Sequence, residues 1–199
     1  MKEQIRVGGR SARIQAAVHQ AVMDLSASTL RDQLTVPQIA AEAGVTPSTI
    51  YRRWGDLATL LADVAVARLR PIADPDDTGA VETDLRNFIE QFTEEMSSPV
   101  GRALIRDVLS TSSEGLACAC ASFTGGHLTT IAERAKSRGE TAFDIDEVID
   151  HVVAPIIYRT LFSEQAPTPD YCSRLIDRLY PPAAKRRSAP ADRFGGGSG

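Results

Sequence analysis

Apolar residues recur at three- and four-residue intervals along most of the chain, which is the spacing of an amphipathic α-helix. Residues 10–26 show it most clearly, with one stripe made by Ile14, Val18, Ala21, Val22 and Leu25. No segment keeps the two-residue alternation that is typical of a half-buried strand. The pattern therefore predicts an all-α protein of about nine helices. The longer ones are expected at 10–26, 81–97, 99–111, 113–138, 144–163 and 169–180.

Three capping residues divide the segment 35–69 into three short helices. Thr35 and Thr46 are each followed within two residues by a proline, as expected for an N-cap and the first turn of a helix. Asp56 provides a third N-cap ahead of a more apolar helix. Gly44, between the first two helices, can adopt the left-handed backbone conformation that a sharp turn requires. The first two helices together therefore match a helix-turn-helix motif.

The second helix of this motif has one apolar side and one polar, basic side. Ile50 and Trp54 lie four residues apart and are expected to point inward. The outer side then carries Ser48, Thr49, Tyr51, Arg52 and Arg53. Hydroxyl groups and arginines donate hydrogen bonds to phosphates, and an arginine can also make two parallel hydrogen bonds to guanine. The segment predicts a helix that enters a DNA groove; the alternative is an ordinary solvated hairpin with two surface arginines.

Charge is distributed unevenly along the 199 residues, whose formal net charge is −4. Residues 1–70 contain nine Lys/Arg and six Asp/Glu, whereas residues 71–199 contain thirteen and twenty. Only the basic first part is therefore expected to meet a polyanion such as DNA. The stretch RPIADPDDTGA, residues 70–80, is the clearest break between the two parts. The predicted division is a DNA-binding domain at 1–72, a second domain at 80–182 and a disordered polar tail at 183–199.

The segment LTVPQIAAEAGVTPSTIYRRWGDLATLL, residues 34–61, resembles the DNA-binding signature of TetR-type bacterial transcription regulators. The positions that match that signature are Thr35, Ile39, Ala40, Ala43, Gly44, Val45, Thr46, Thr49, Ile50, Tyr51 and Trp54. The resemblance implies a three-helix DNA-binding head on a larger helical body that binds an effector and dimerises. The chain departs from the pattern at Leu57, where the family usually has a lysine that contacts a phosphate.

By position, the resemblance also implies roles for individual residues of the head. Contacts to bases fall on Pro47, Ser48 and Arg52. Contacts to phosphates fall on Thr35, Thr49, Tyr51 and Arg53, and Thr46 belongs to the same DNA-binding set. Arg53, or the basic residues Lys2, Arg6 and Arg10, could replace the contact missing at Leu57. A dimer reading two half-sites of a palindrome would supply the specificity that one short helix lacks.

The predicted body contains one helix that is apolar on nearly every face, from Val152 to Phe162. Such a helix is buried on both sides, either in the core of one subunit or between that core and a partner chain. With the last helix it predicts a four-helix interface across a two-fold axis, as the resemblance also implies. The residues predicted for this interface are Val152, Ile156, Arg159, Leu175, Ile176 and Leu179. Pro155 is expected to bend the helix because it removes an internal hydrogen bond.

The resemblance also implies an effector pocket inside the body, whose ligand the sequence does not identify. Candidate lining residues, each of which could instead belong to the core, are Phe88, Phe92, Leu104, Phe123, His127, Ile131 and Tyr158. Gly125 and Gly126 stand within a predicted helix, where each glycine costs about 1 kcal/mol. Close helix packing, a kink or room for a ligand could each explain them.

Other chemistry has little support in the sequence. Cys118 and Cys120 are two apart on a predicted helix, so their side chains point about 200° apart and do not easily bind one metal ion. We find no catalytic residue set, cofactor motif, signal sequence or membrane span, and three cysteines fit a reduced cytoplasm. The sequence therefore predicts a cytoplasmic, effector-responsive homodimeric repressor. The alternatives are a small-molecule-binding protein with a weakened DNA-binding head, and a thiol or metal sensor that uses Cys118, Cys120 or Cys172.

Overall fold

The computed structural model describes residues 9–179, apart from the side chain at position 32. Every regular element in that range is helical, which confirms the predicted all-α class. The predicted tail and the basic residues Lys2 and Arg6 lie outside the described range. The helices are α1 (Arg10–Ser26), α2 (Val36–Glu42), α3 (Pro47–Trp54), α4 (Leu57–Leu69), α5 (Val81–Ser97), α6 (Pro99–Ser110), α7 (Glu114–Ser137), α8 (Ile145–Val148), α9 (Ala154–Phe162) and α10 (Pro169–Leu179). No helix among them combines the length and the apolar character needed to cross a membrane.

Helices α8 and α9 form one uninterrupted helix through a π-helical turn at Ile149–Val153. Pro155 follows in the first turn of α9. A proline has no N–H group, so the regular pattern of α-helical hydrogen bonds cannot continue through it. The structure thus has a π-helical turn, usually a single-turn feature of an α-helix, directly before the turn that contains Pro155. The bend expected at Pro155 stays a prediction.

The chain forms two compact units. The head unit contains the described residues up to Ile72 together with Ala103–Phe123, and the body unit contains Ala73–Arg102 together with the residues from Thr124 onward. The sequence predicts one domain at 80–182, so most of α6 and the start of α7 are grouped differently in the structure. The reason is an apolar cluster in which Ala65 and Val66 of α4 pack with Val108 of α6.

In the head unit, helices α1–α4 pack around a core of aliphatic side chains. Ile39, Ile50 and Leu60 are completely buried there, one each from α2, α3 and α4. Helix α1 contributes Val18 and Val22 from its predicted stripe. Helices α2 and α3 have only 7 and 8 residues, a length that is marginal for an isolated helix. The short helices therefore depend on this shared core for their stability.

In the body unit, α5, α7, α9 and α10 share a second apolar core. The completely buried members of that core are Ile89 of α5, Leu128, Ile131 and Ala135 of α7, Val148 and Val152 of the α8–α9 helix, and Ile156 of α9. Burial of a large aliphatic side chain contributes roughly 1.5–3 kcal/mol. Apolar packing therefore holds these helices together.

The segment between α4 and α5, which the sequence marks as a break, is held by polar groups of the body unit. Arg138, directly after α7, donates to Asp77 at 2.7 Å and to Asp84 at 3.1 Å. Arg134 of α7 donates to the Pro75 carbonyl at 2.6 Å. Asp84, completely buried, also accepts from the Thr78 N–H at 2.7 Å and from its hydroxyl at 2.6 Å. Burial alone would raise the pKa of Asp84, but the hydrogen bonds from Thr78 and Arg138 lower it overall. The linker is therefore fastened to α5 and α7.

Candidate nucleic-acid interface

Helix α3 packs on the head core through one face only. Ile50 is completely buried and Trp54 is 7% exposed. The turn before α3 contains Gly44, whose φ of 65° lies in the left-handed region that glycine adopts without strain. A hydrogen bond of 2.9 Å from the Val45 N–H to the Ala40 carbonyl closes this turn. The opposite face of α3 is left in solvent.

The solvent-facing side of α3 is polar and carries Ser48, Tyr51 and Arg52, all exposed. Within the described chain Arg52 has no hydrogen bond or ion pair, so its guanidinium donors are available to a ligand. The Thr46 hydroxyl lies 2.9 Å from the Ser48 hydroxyl and 3.0 Å from that of Thr49. Three hydroxyl groups therefore stand together where α3 begins, beside a free arginine.

Thr35 is the N-cap of α2 and Pro47 is the first residue of α3, and both are exposed. The Thr35 hydroxyl donates to the side-chain oxygen of Gln38 at 2.7 Å and accepts from the Gln38 N–H at 3.4 Å. The Thr35 N–H donates to the same Gln38 oxygen at 2.9 Å, which completes a capping box. Thr35 thus stabilises α2 from a surface position.

Arg53 is exposed but already has partners within the head unit. Its guanidinium donates to the Ser11 hydroxyl at 2.6 Å and to the side-chain oxygen of Gln15 at 2.5 Å, both on α1. The same group lies 5.1 Å from the centroid of the Trp54 ring. Of the two neighbouring arginines, Arg52 is therefore free, whereas Arg53 connects α3 to α1.

A single carboxylate on α4 collects hydrogen bonds from α1 and α3. The Oδ2 atom of Asp63 lies 2.8 Å from Trp54 Nε1, 2.9 Å from His19 Nε2 and 3.2 Å from Gln15 Nε2. The hydrogen bond from His19 is the main reason why the pKa of Asp63 is lowered, and it outweighs the effect of partial burial. An ionised carboxylate can only accept, so the His19 ring donates through Nε2.

The sequence prediction did not include Gln15, His19 or Asp63. The two α1 residues lie 48 and 44 positions before Asp63, too far for any local pattern to connect them. One weak signal exists, since Ser11, Gln15 and His19 follow each other at intervals of four and share a face of α1. That face is polar and lies beside the apolar stripe.

Two further arginines stand beside the turn between α2 and α3. Arg10 and Arg13 of α1 line an open hollow of about 400 Å³, whose other walls are Ile14, Ala17, Ala43, Gly44 and Val45. Leu57, where the family pattern has lysine, is half-buried and packs on the head core. Cations next to the turn are therefore supplied by α1.

The residues predicted for an effector pocket are divided between the two units. Leu104 and Phe123 belong to the head unit, where they pack against the cluster of Ala65, Val66 and Val108. The other five candidates belong to the body unit.

Three aromatic candidates of the body unit do lie together. The Phe88 ring is 5.4 Å from the half-buried His127 ring and 6.1 Å from the Phe92 ring. Ile131, in contrast, is completely buried in the core, and Tyr158 is 65% exposed. The structure therefore brings together Phe88, Phe92 and His127 as a smaller candidate group.

The two glycines within α7 are not explained by close helix packing. A β-carbon added at Gly125 or Gly126 would meet no atom within 4 Å. The hydroxyls of Thr129 and Thr130 donate to the carbonyls of these glycines at 2.8 Å and 3.0 Å, a pattern that often bends helices. A kink and room for a ligand remain as explanations.

Four residues predicted for a dimer interface belong to the core of the body unit. Val152 and Ile156 have no exposed surface, and Ile176 and Leu175 are 2% and 7% exposed. A side chain that its own chain covers cannot reach a partner, so these four are assigned to the core and not to a surface. Sequence alone could not separate core from interface here, because a helix that is apolar on nearly all sides does not show which side its own chain covers.

The uncovered face of α9 carries aromatic side chains. Tyr158 and Phe162 are 65% and 74% exposed, with ring centroids 5.2 Å apart. The predicted interface residue Arg159 is also exposed, and its guanidinium lies 4.2 Å from the Tyr171 ring centroid. Leu179 is half-buried near the core. Tyr158 and Phe162 together form the aromatic face of α9, which the described chain leaves exposed.

The three cysteines occupy different environments. Cys118 is exposed, Cys120 is half-buried and Cys172 is buried, with its sulfur 3.4 Å from the Thr93 hydroxyl. Burial raises the pKa of the Cys120 thiol, which makes the reactive thiolate harder to form. Among residues 9–179, no group of three or more His, Cys, Asp or Glu is placed to hold a metal ion.

Known proteins resemble both parts of the chain. Residues 32–64 match the family described as bacterial regulatory proteins, tetR family, and residues 75–179 match the tetracyclin repressor-like C-terminal domain. The HTH-type transcriptional regulator AqdR of Rhodococcus erythropolis is 33% identical over 141 residues, which cover 69% of this chain and 68% of AqdR. An uncharacterized HTH-type transcriptional regulator of Mycobacterium tuberculosis is 28% identical over 82% of this chain and 87% of its own length. The solved structure of the TetR family transcription regulator SCO0332 has the same fold, with a TM-score of 0.61 and 23% identity over 84% of this chain and 96% of that chain.

Proposed function

Because the chain belongs to the TetR family of bacterial transcriptional regulators, we propose that it binds a palindromic DNA operator as a homodimer and releases it when an effector binds. Membership of this family makes it a DNA-binding regulator and not an enzyme. The match of the body to a tetracyclin repressor-like domain favours repression over activation. Acting on the bacterial chromosome, the regulator would work in the cytoplasm.

The outer face of α3 is the observation that supports DNA binding most strongly. Arg52 is free to make two parallel hydrogen bonds to a guanine in the major groove. Ser48 and Thr49 supply hydroxyl donors beside it, and Tyr51 is 50% exposed. Arg10 and Arg13, beside the preceding turn, are suited to phosphates on either side of that groove.

The aromatic face of α9 supports the proposed homodimer. Large exposed aromatic side chains are unfavourable in water, and protein interfaces are enriched in them. A two-fold axis beside α9 would bring Tyr158 and Phe162 of one protomer against the same residues of its partner. Two heads in a symmetric pair would then read two half-sites of a palindrome.

The effector is proposed to bind near Phe88, Phe92 and His127. Two aromatic rings and one half-buried imidazole suit a small, largely apolar ligand with one polar group. Such a ligand releases DNA only if it binds more tightly to a conformation in which the two heads no longer match the operator. The size of that difference in affinity sets the response.

Binding to the DNA upstream of the protein's own gene tests the proposal. Fluorescence anisotropy should show affinity at least about 10³-fold tighter for this DNA than for a shuffled sequence of equal length. Analytical ultracentrifugation of the complex should show two chains on each DNA. Equal affinity for the two DNAs at low salt would contradict the proposal.

A further inference from the structure

Helix α3 is held in the head unit by two different kinds of contact. Ile50 and Trp54 bury apolar surface in the core, and apolar burial is largely non-directional. Such contacts keep a helix of 8 residues attached, but they do not by themselves fix how far it rotates about its axis. Hydrogen bonds do this, because they weaken steeply as their angles change.

A continuous hydrogen-bond chain joins α3 to α1 and α4. Arg53 donates to the oxygen of the Gln15 amide at 2.5 Å, and the nitrogen of the same amide donates to Asp63 at 3.2 Å. Asp63 in turn accepts from the Trp54 ring at 2.8 Å and from His19 at 2.9 Å. The last two residues of α3 are therefore both linked to Asp63, Trp54 directly and Arg53 through Gln15.

The chemistry of the partners fixes the orientation of Gln15. A guanidinium only donates and an ionised carboxylate only accepts. An amide can connect the two, because it carries an acceptor oxygen and a donor nitrogen. The Gln15 side chain thus links Asp63 to Arg53 through two hydrogen bonds. Gln15 is half-buried and belongs to α1, not to the helix proposed to read DNA.

From this arrangement we infer that Gln15 and Asp63 are positioning residues for DNA recognition, which hold Arg53 and Trp54 and so set the angle at which Ser48 and Arg52 meet the bases. The inference rests on the proposed function above. It also changes the role of Arg53, which the family resemblance assigns to a phosphate contact. In this account Arg53 acts through Gln15 and Ser11 and neutralises no phosphate.

Gln15→Met tests the inference, since methionine has a similar length but neither donates nor accepts in this geometry. We expect affinity for the upstream DNA to fall about tenfold, the equivalent of about 1.4 kcal/mol. Affinity for shuffled DNA should not change, because the basic surface stays intact. A loss of folded protein would instead lower both affinities by the same factor. Gln20→Met is the matched control, since Gln20 is an exposed residue of α1 that bonds only Asp24, at 2.8 Å.

Arg53→Met provides a second, independent reading. Each phosphate contact that is lost reduces the slope of log affinity against log salt by about 0.9 per protomer. If Arg53 is a positioning residue, the slope stays at the wild-type value while specific affinity falls. The double variant Gln15→Met/Arg53→Met should lose less than the sum of the two single effects, because both changes break the same hydrogen bond.

Two results would overturn the inference while the proposed function stands. The first is a Gln15→Met variant whose preference for the upstream DNA is unchanged. The second is an Arg53→Met variant with a reduced salt slope, together with a double variant whose loss of affinity equals the sum of the two single losses. If the wild-type protein itself does not prefer the upstream DNA, the proposed function fails and the inference fails with it. Circular dichroism of each variant checks that α1 and α3 remain helical.

Discussion

Helices α3 and α9 each present a surface that the chain leaves uncovered, and the two surfaces differ in chemistry. The surface of α3 consists of hydroxyls and the free guanidinium of Arg52, whereas that of α9 consists of the rings of Tyr158 and Phe162. Binding to a polyanion releases counterions into solution, and this release contributes less free energy when the salt concentration is high. Affinity for DNA therefore falls as salt rises. Burial of aromatic surface does not weaken in this way. The difference implies two partners, and it allows each contact to be disrupted without disrupting the other.

The largest expected effect comes from removing the aromatic face of α9. The double variant Tyr158→Ser/Phe162→Asp should be monomeric and should bind the upstream DNA at least about 100-fold more weakly, because two linked heads gain that much from avidity. Ultracentrifugation and anisotropy measure the two effects. Leu109→Asp is the control, since Leu109 of α6 is a 63% exposed apolar residue of the head unit, whereas α9 belongs to the body unit. A dimeric double variant would show that α9 is not the interface.

The next effect is expected at Arg52, on the DNA-facing side of the comparison. Arg52→Gln should lower affinity for the upstream DNA by about 10- to 100-fold and relax selectivity at one base pair in each half-site. Dimerisation should stay intact. Arg68→Gln, which removes the same charge from an exposed position of α4, controls for net charge. Equal losses in the two variants, measured by anisotropy on a set of single-base operator variants, would argue against a base contact by Arg52.

The stability of the head unit should depend on pH through two carboxyl groups, whose contributions change in opposite directions as the pH falls. Burial raises the pKa of Asp107 to about 6, although Arg31 opposes this. Its contribution to stability is therefore complete below the unfolded pKa of 3.8 and is lost as pH rises through about 6. The lowered pKa of Asp63 acts in the other direction: its contribution is present above 3.8 and is lost as pH falls below that value.

Denaturant unfolding between pH 4 and pH 7 measures the first of these contributions. As the pH rises, the free energy of unfolding should fall by at most about 1.4 kcal/mol per pH unit. This fall is expected in the part of the range below the Asp107 pKa. Asp107→Asn should remove that slope, whereas Asp24→Asn, at an exposed position of α1, should keep it. A slope that survives in Asp107→Asn would assign the titration to another group.

The smallest effect is expected in α7, which contributes to neither surface. Gly126→Ala should raise the free energy of unfolding by about 0.5–1 kcal/mol, because the helix is favoured and the added methyl group meets open space. DNA affinity and dimerisation should not change. Gly139→Ala should do the reverse, since Gly139 has a φ of 77° that an alanine adopts only with strain. Thermal unfolding distinguishes the two, and a destabilised Gly126→Ala would contradict the open environment.

The sequence was informative where a helix has one polar side. The helical period alone placed Ile50 and Trp54 inside and Arg52 outside, and the caps at Thr35 and Asp56 were visible as single residues. It was uninformative about the segment from Val152 to Phe162, since nearly every face there is apolar. Only packing decides that Val152 is covered while Phe162 is not.

The polar contacts of α3 were beyond the reach of sequence patterns for another reason. Arg52 and Arg53 are adjacent and chemically identical, yet only Arg53 lies within reach of Gln15. That difference arises from the packing of α1 on α3, and the residues involved are 38 positions apart. The aromatic group around Phe88 and His127 depends in the same way on how α5 meets α7.

A crystal structure of the protein bound to its upstream operator is the most direct test of the claim that α3 reads DNA. The account predicts α3 of both protomers in successive major grooves, about 34 Å apart, with Arg52 against a guanine edge and Arg53 still bonded to Gln15. A complex in which α3 remains in solvent, or in which another element contacts the bases, would contradict it.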